Sequence, residues 1–290
     1  MSEGTSKSII SLGDFGPAAK ILVEKISSGV GGVFLPYQIK RVAKAETEAA
    51  LIRAQGGIQI TELQRRAAHR FVEEEARKQA NMESIIAQAL PELEQNAEPE
   101  QVEDDWITNF FDKCRIVSDQ GMQSLWAKVL AGEANSPGSY SKRTINFLGS
   151  LDKKDANLFT TLCAFGWFIG GVTPLVFDEQ AAIYNKAGIN FDALTHLDAI
   201  GLVSFNPIAG FVQCKLEQSI KVFYHDVPIF LEFSKSKDNE LDVGKALLTN
   251  IGQELAKICG SKPVQDFEDY VIERWLTKDI VASSKYPRKK

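Results

Sequence analysis

Residues 37–90 are dense in Ala, Glu, Arg, Gln and Lys, a composition that favours helix at nearly every position. Within that stretch Ile52, Ile60, Leu63, Ala67 and Phe71 recur at steps of eight, three and four residues and trace one narrow apolar stripe. Other positions carry charge, among them Glu46, Glu48, Arg65, Arg66, Glu73, Glu74 and Arg77. A helix this long with so narrow a stripe cannot be buried inside a compact ball; it needs another helix along its length. A hairpin packed on the same chain would satisfy it, and so would self-association through a coiled-coil-like stalk. The Gly56-Gly57 pair interrupts the pattern, weakening a helix by about 1 kcal/mol per Gly relative to Ala. The stretch therefore reads as two long helices or one helix kinked at that pair.

The rest of the chain divides around this arm. Residues 17–30 form a short amphipathic helix through Ala18, Ile21, Leu22, Ile26 and Val30, followed by the small residues Gly29, Gly31, Gly32 and Pro36. Between residues 83 and 105 the charges are all acidic, and residues 94–104 read as a solvated linker. Beyond it Trp106, Phe110 and Phe111 seed a core. Ser118 or Asp119 caps the next helix, which carries Met122, Leu125, Trp126 and Val129. A turn-rich loop at 133–139, a helix near 142–151 and a helix through Leu158, Leu162 and Phe165 complete a helical block. After residue 190 the period changes. A helix ended by Gly201, strands at 202–205, 211–216, 220–225 and 229–233, and a helix capped by Thr249 in Leu248-Thr249-x-x-Gly252-x-x-Leu255 resemble a winged-helix module. The expected fold is mainly α: a long N-terminal helical arm at 1–100, a central helical domain at 101–178 and a small α+β winged-helix-like domain at 179–290.

Several function classes are excluded by what is missing. Four Cys are widely spaced without a CxxC, and three His give no metal-ligand spacing, so neither a disulfide framework nor a metal centre is expected. Glycine-rich phosphate-binding motifs are absent, no nucleophile and base stand at readable spacing, and no cofactor is expected. The N-terminus lacks a secretory pattern, and the longest apolar stretch, residues 162–177, is too short to span a bilayer and reads as buried core. A cytoplasmic location follows, with peripheral contact at the inner membrane if residues 9–35 and the basic Lys40, Arg41 and Lys44 lie in an anionic interface. The 33 Lys+Arg against 38 Asp+Glu give a net charge of −5, and residues 191–202 carry no Lys or Arg, so nucleic acid is not the expected partner.

Polar groups crowd around the turn-rich loop: Asp119, Lys128, Glu133, Asn135, Ser141, Lys142 and Arg143. As a binding site, Lys142 and Arg143 would grip an anion with Glu133 or Asp119 as acid or base. As structure, Glu133 would pair with Arg143 while Asn135 and Ser141 satisfy backbone groups between helices. No residue is singled out as catalytic. The string from Asp105-Trp106 through Ser118-Asp119, Gln123, Trp126-Ala127-Lys128, Leu130-Ala131-Gly132-Glu133-Ala134-Asn135, Pro137-Gly138 and Ser141-Lys142-Arg143-Thr144 to Leu151 resembles an uncharacterised bacterial family known only as a domain of unknown function. More distantly it is similar to the Abi-alpha proteins of bacterial abortive infection. That resemblance implies a setting, defence against phage or mobile elements, and no mechanism. The resulting expectation is a non-enzymatic effector or sensor that self-associates and recognises a protein partner, such as a phage component. The alternatives are a membrane-active protein using residues 9–35, or a DNA-binding regulator using the winged-helix-like domain.

Overall fold

The computed structural model describes residues 16–31 and 61–284. The chain divides into two compact units, Met1–Ser150 and Leu151–Lys290. Ile52, Ile60, the Gly56-Gly57 pair and the basic Lys40, Arg41 and Lys44 lie outside the described residues.

The described part of the first unit is helical: α1 (Pro17–Val30), α2 (Glu62–Ala89), α3 (Asp104–Cys114), α4 (Gln120–Asn135) and α5 (Lys142–Leu148). Aromatic residues one turn apart on α3 meet at its centre. Trp106 stacks on Phe110 with ring centroids 5.1 Å apart, and Phe110 meets the edge of Trp126 on α4 at 5.0 Å. Helix α1 lies along α3 and turns Leu22, Val23 and Ile26 into this core. Helix α2 starts with a reciprocal capping box, Thr61 accepting from the Gln64 amide while Gln64 accepts from the Thr61 amide. Only its C-terminal part is buried, through Ile85, Ile86 and Ala89 against α4.

The acidic stretch after α2 is laid along α4 rather than hanging in solvent. Asn135 accepts from the Glu94 amide at 2.9 Å and donates to the Glu92 carbonyl at 3.0 Å, while the Glu98 amide donates to the Ala134 carbonyl. Pro99 and Val102 are buried. The expected solvated linker is thus corrected: its carboxylates face water but its backbone is paired, as buried amides require.

The described part of the second unit holds α6 (Lys153–Cys163), α7 (Ala182–Asn185), α8 (Phe191–Ala199), α9 (Asn250–Ala256) and α10 (Phe267–Leu276), together with nine strands. These are β1 (Gly166–Phe168), β2 (Val172–Pro174), β3 (Val203–Phe205), β4 (Phe211–Leu216), β5 (Ser219–Tyr224), β6 (Val227–Glu232), β7 (Asn239–Gly244), β8 (Ala246–Leu248) and β9 (Val281–Ser284). A five-stranded antiparallel sheet has the order β2-β1-β5-β6-β9, and two-stranded pairs join β3 to β8 and β4 to β7. Trp275 of α10 meets Trp167 of β1 edge to face at 4.9 Å, and Phe267 meets Phe165 at 4.9 Å, so an aromatic layer lies between helix and sheet.

A mainly α chain with a winged-helix-like end is therefore not what forms. About 51% of the described residues are helical and 17% are strand, a mixed α/β fold with several antiparallel sheets. The expected helix through Phe165 stops at Cys163. Gly166, Gly170 and Gly171 disfavour helix beyond it, while Trp167, Phe168, Val172 and Thr173 favour a pleated surface. These residues become the β1–β2 hairpin, one edge of a sheet whose other edge is β9. The Leu248-Thr249-x-x-Gly252-x-x-Leu255 pattern serves packing instead. Thr249 caps α9 by accepting from the Gly252 amide at 3.1 Å, and Gly252 lies so close to the Leu202 carbonyl that no Cβ fits between them.

Candidate functional site

The polar loop between α4 and α5 is organised by one carboxylate. Glu133, 3% exposed, accepts from the Gly138 amide through Oε1 at 2.7 Å and from the Tyr140 amide through Oε2 at 2.9 Å. Charge-assisted bonds of this kind to backbone N–H groups hold a turn closed. One position earlier, Gly132 faces the Tyr140 ring, where an added Cβ would come within 2.7 Å of Cε2. The Tyr140 carbonyl in turn accepts from the Trp106 indole at 2.7 Å. Ser141 caps α5 by accepting from the Thr144 amide at 3.2 Å. Beside it Lys142 reaches Glu103 at 3.3 Å and Asp105 at 3.8 Å.

These groups surround an open cleft of about 510 Å³, lined by Gln101, Glu103, Trp106, Glu133, Pro137, Gly138, Tyr140, Ser141 and Lys142. Three of the residues expected from sequence, Glu133, Ser141 and Lys142, come together there, and exposed Arg143 follows them at the start of α5. Asp119 does not join them. It caps the far end of α4, accepting from the Met122 amide at 3.1 Å, about 21 Å along the helix from Glu133 at 1.5 Å per residue. Lys128 lies about 140° round the same helix from Glu133. Asn135 is spent on the clamp to residues 92–94. Glu103, Trp106 and Tyr140 of the lining were not read as site residues; the indole N–H of a buried Trp, which needs an acceptor, was the signal that its neighbourhood must hold a polar partner.

Both Glu133 oxygens are occupied by amides, and Lys142 is shared between two carboxylates. These bonds hold the walls of the cleft in shape. Among the described residues, no group of three or more His, Cys, Asp or Glu could hold a metal ion, and no helix is long and apolar enough to cross a membrane.

The second candidate feature is the α2 stripe. Leu63 is 69% exposed, Phe71 62% and the neighbouring Val72 66%, and Ala67 is exposed with them. At about 100° per residue, Leu63, Ala67 and Phe71 project from the same sector of α2 as Ile85 and Ala89. The face that is core at the C-terminal end therefore continues bare toward the N-terminus, past the point where α4 covers it. At that point a buried polar network fastens α2. Gln123, 2% exposed, accepts from Ser84 at 2.8 Å and donates to the Val117 carbonyl at 2.8 Å, and Asn81 donates to the Arg115 carbonyl at 2.9 Å.

The family model described as "Protein of unknown function (DUF2806)" matches residues 65–272, which takes in the α2 arm, the cleft and most of the second unit. No curated protein and no solved structure matches the chain.

Proposed function

The chain belongs to the DUF2806 family, a family of unknown function, and we propose that it works as a non-enzymatic interaction protein that self-associates through the N-terminal half of α2. The bare continuation of the core stripe carries this reading. Exposed Leu63, Ala67, Phe71 and Val72 on one helix are the kind of surface that associates. Charge argues for a second copy as the occupant. Arg65, Arg66 and Arg70 precede Phe71 on the arm, and Glu73, Glu74 and Glu75 follow Val72. Two arms crossing antiparallel near Phe71 set Arg70 of each against Glu73 of the other, a self-complementary contact of the kind a two-fold interface makes, with Arg77 and Lys78 lying beyond the crossing. A parallel pair would face like with like.

In this reading the assembled protein acts in the cytoplasm as an effector or sensor that recognises a protein partner. The setting of defence against phage comes from the sequence resemblance to abortive-infection proteins. The cleft beside Glu133 is the surface suited to recognising that partner. The membrane alternative finds less support, because Leu22, Val23 and Ile26, the apolar face of α1, are turned into the core.

Light scattering on the full chain tests the central step. The wild type should run at twice 32.1 kDa, and the L63E/F71E variant at 32.1 kDa. Variants R65E/R66E/R70E and E73K/E74K/E75K should each be monomeric alone and should pair when mixed. A wild type that stays at 32.1 kDa at tens of micromolar, or charge variants that pair alone as well as the wild type does, would remove the reading. Plaque assays with and without the gene test the setting, and equal titres across a broad phage panel would count against it.

A further inference from the structure

The five-stranded sheet of the second unit has two faces of different character. Residues alternate along β1, β5 and β6. Trp167, Val222, Tyr224, Ile229 and Leu231 are buried, and Trp167 meets Trp275 of α10. The positions between them belong to the opposite face, and an antiparallel sheet covered on one side is expected to be polar there. This one is aromatic. Phe168 of β1 stands opposite Phe223 of β5, and Phe223 stands opposite Pro228 of β6. The next pair on the same face is Lys221 opposite Phe230. Three phenylalanines thus occupy three neighbouring strands on the face turned away from α10.

Phe168 is 51% exposed, and Phe223 and Phe230 are half-buried. The rings of Phe168 and Phe223 meet edge to face with centroids 6.2 Å apart. The exposed Lys221 ammonium lies 4.7 Å from the Phe223 ring centroid, so a cation stands among the rings. More positive charge follows at the same end of the sheet. The chain leaves β9 at Ser284, opposite Ile229 and next to the Phe223–Pro228 row. Residues 285–290, which follow, include Lys285, Arg288, Lys289 and Lys290 and no Asp or Glu. Two acids stand against them. Asp226 lies in the β5–β6 turn, and Glu232 is level with Ser219, four residues or about 14 Å along β5 from Phe223.

We infer that this face binds single-stranded nucleic acid. Bases stack on Phe168 and Phe223, and phosphates meet Lys221 and the basic residues after β9. Every base has a π-face, so stacking of this kind tolerates sequence while the cations track the backbone. A duplex keeps its bases inside its own stack, so the rings favour a single strand. The expectation against nucleic acid rested on the total charge of −5 and on residues 191–202, and neither describes this face. The inference concerns the second unit alone, so it stands or falls independently of pairing through α2.

Fluorescence anisotropy on the full chain tests it, with labelled oligouridine and oligothymidine of about ten nucleotides and a duplex of equal length. A single strand should bind, less tightly as salt rises, and the duplex should bind at least about tenfold more weakly. Preference for oligouridine names RNA, and preference for oligothymidine names DNA. Phe168→Ala should weaken binding about tenfold, the loss of roughly one stacked base, at an unchanged melting midpoint because the ring is half exposed. Phe168→Trp, which keeps an aromatic face, should bind as the wild type does. Lys221→Glu should weaken binding and flatten its salt dependence. The inference would be overturned by no binding at tens of micromolar protein, by equal binding of the duplex, or by Phe168→Ala and Lys221→Glu proteins that bind like the wild type. It would also fall if Phe168→Ala abolished a dimer formed by the wild type, since the face would then be a contact between copies.

Discussion

Replacing Glu133 by Ala removes the acceptor of two backbone amides, and the two do not cost the same. Tyr140 is buried at 4%, so its N–H, bonded to Oε2 at 2.9 Å, has no water to turn to once the carboxylate is gone. An orphaned buried donor costs about 1–3 kcal/mol, and losing a charged acceptor places this case in the upper part of that range. Gly138 is exposed, so its N–H exchanges a 2.7 Å bond for hydration at about 1 kcal/mol. The sum is roughly 3 kcal/mol. Glu133→Gln keeps one acceptor and turns an amide NH2 toward the other N–H, so it should recover at most half. Urea unfolding of the full chain gives the free energy, and hydrogen exchange localises it. Faster exchange should appear at residues 137–141 and spread to Trp106, whose indole donates to the Tyr140 carbonyl. A Glu133→Ala protein within about 0.5 kcal/mol of wild type, with unchanged exchange at 137–141, would refute the bracket and return Glu133 to the list of functional carboxylates.

Gly252→Ala should destabilise the second unit by about 3 kcal/mol, because the new Cβ meets the Leu202 backbone carbonyl rather than a side chain that could swing away. Circular dichroism melting reads this, and an unchanged midpoint would mean that α9 does not press on β3. Asp242 gives a pH signature. Burial pushes its carboxyl up, but the Lys278 hydrogen bond, the Gly244 amide and the charges of Lys278 and Arg274 outweigh that and hold it below the ordinary range. A depressed carboxylate contributes stability above its unfolded pKa of about 3.9, which is lost as pH falls through the lower folded value. Asp242→Asn should therefore lower stability at neutral pH and flatten the acid limb of a stability-against-pH curve; an unchanged acid limb would show that the cluster stores no stability.

What the sequence revealed was what short-range chemistry decides. Asp119 and Thr249 cap helices because their own side chains meet amides three residues on, and Gly201 turns the chain at φ 86° because only glycine does so without strain. The strands that were missed have no such local signature. Strands β1 and β8 are three residues each and pair with residues far away in the chain, Trp167 opposite Tyr224 and Leu248 opposite Val203, while β2 closes a hairpin on β1. Apolar runs of that length look the same in a helix and in a strand until the pairing is known. The site was half legible for a similar reason. Glu133, Asn135 and Ser141 stood out as polar groups beside a turn. That Glu133 would serve amides, and that Asp119 would sit at the other end of α4, depended on where the helix began and on which groups the loop left unpaired.

The arm gains its meaning from how it is rooted. An isolated helix of the length of its exposed half is marginal in water, so Leu63 and Phe71 would be poor recognition residues on a free peptide. Here the helix is held at both ends. The Thr61–Gln64 box closes its first turn, and Ile85, Ile86 and Ala89 pack its last turns. Between them the Gln123–Ser84 and Asn81–Arg115 bonds fix its rotation about its own axis, since slipping by one residue would leave the buried Gln123 Oε1 without its Ser84 donor. The acidic stretch adds a second restraint, because Asn135 grips the chain at Glu92 and Glu94 just after α2 ends. A helix fixed in rotation presents Leu63, Ala67 and Phe71 in one set direction and pays little ordering entropy when a second arm lies against it. If the arm self-associates as proposed, loosening the root should weaken that association without touching the stripe, because the polar network around Gln123 sets the direction in which the stripe faces.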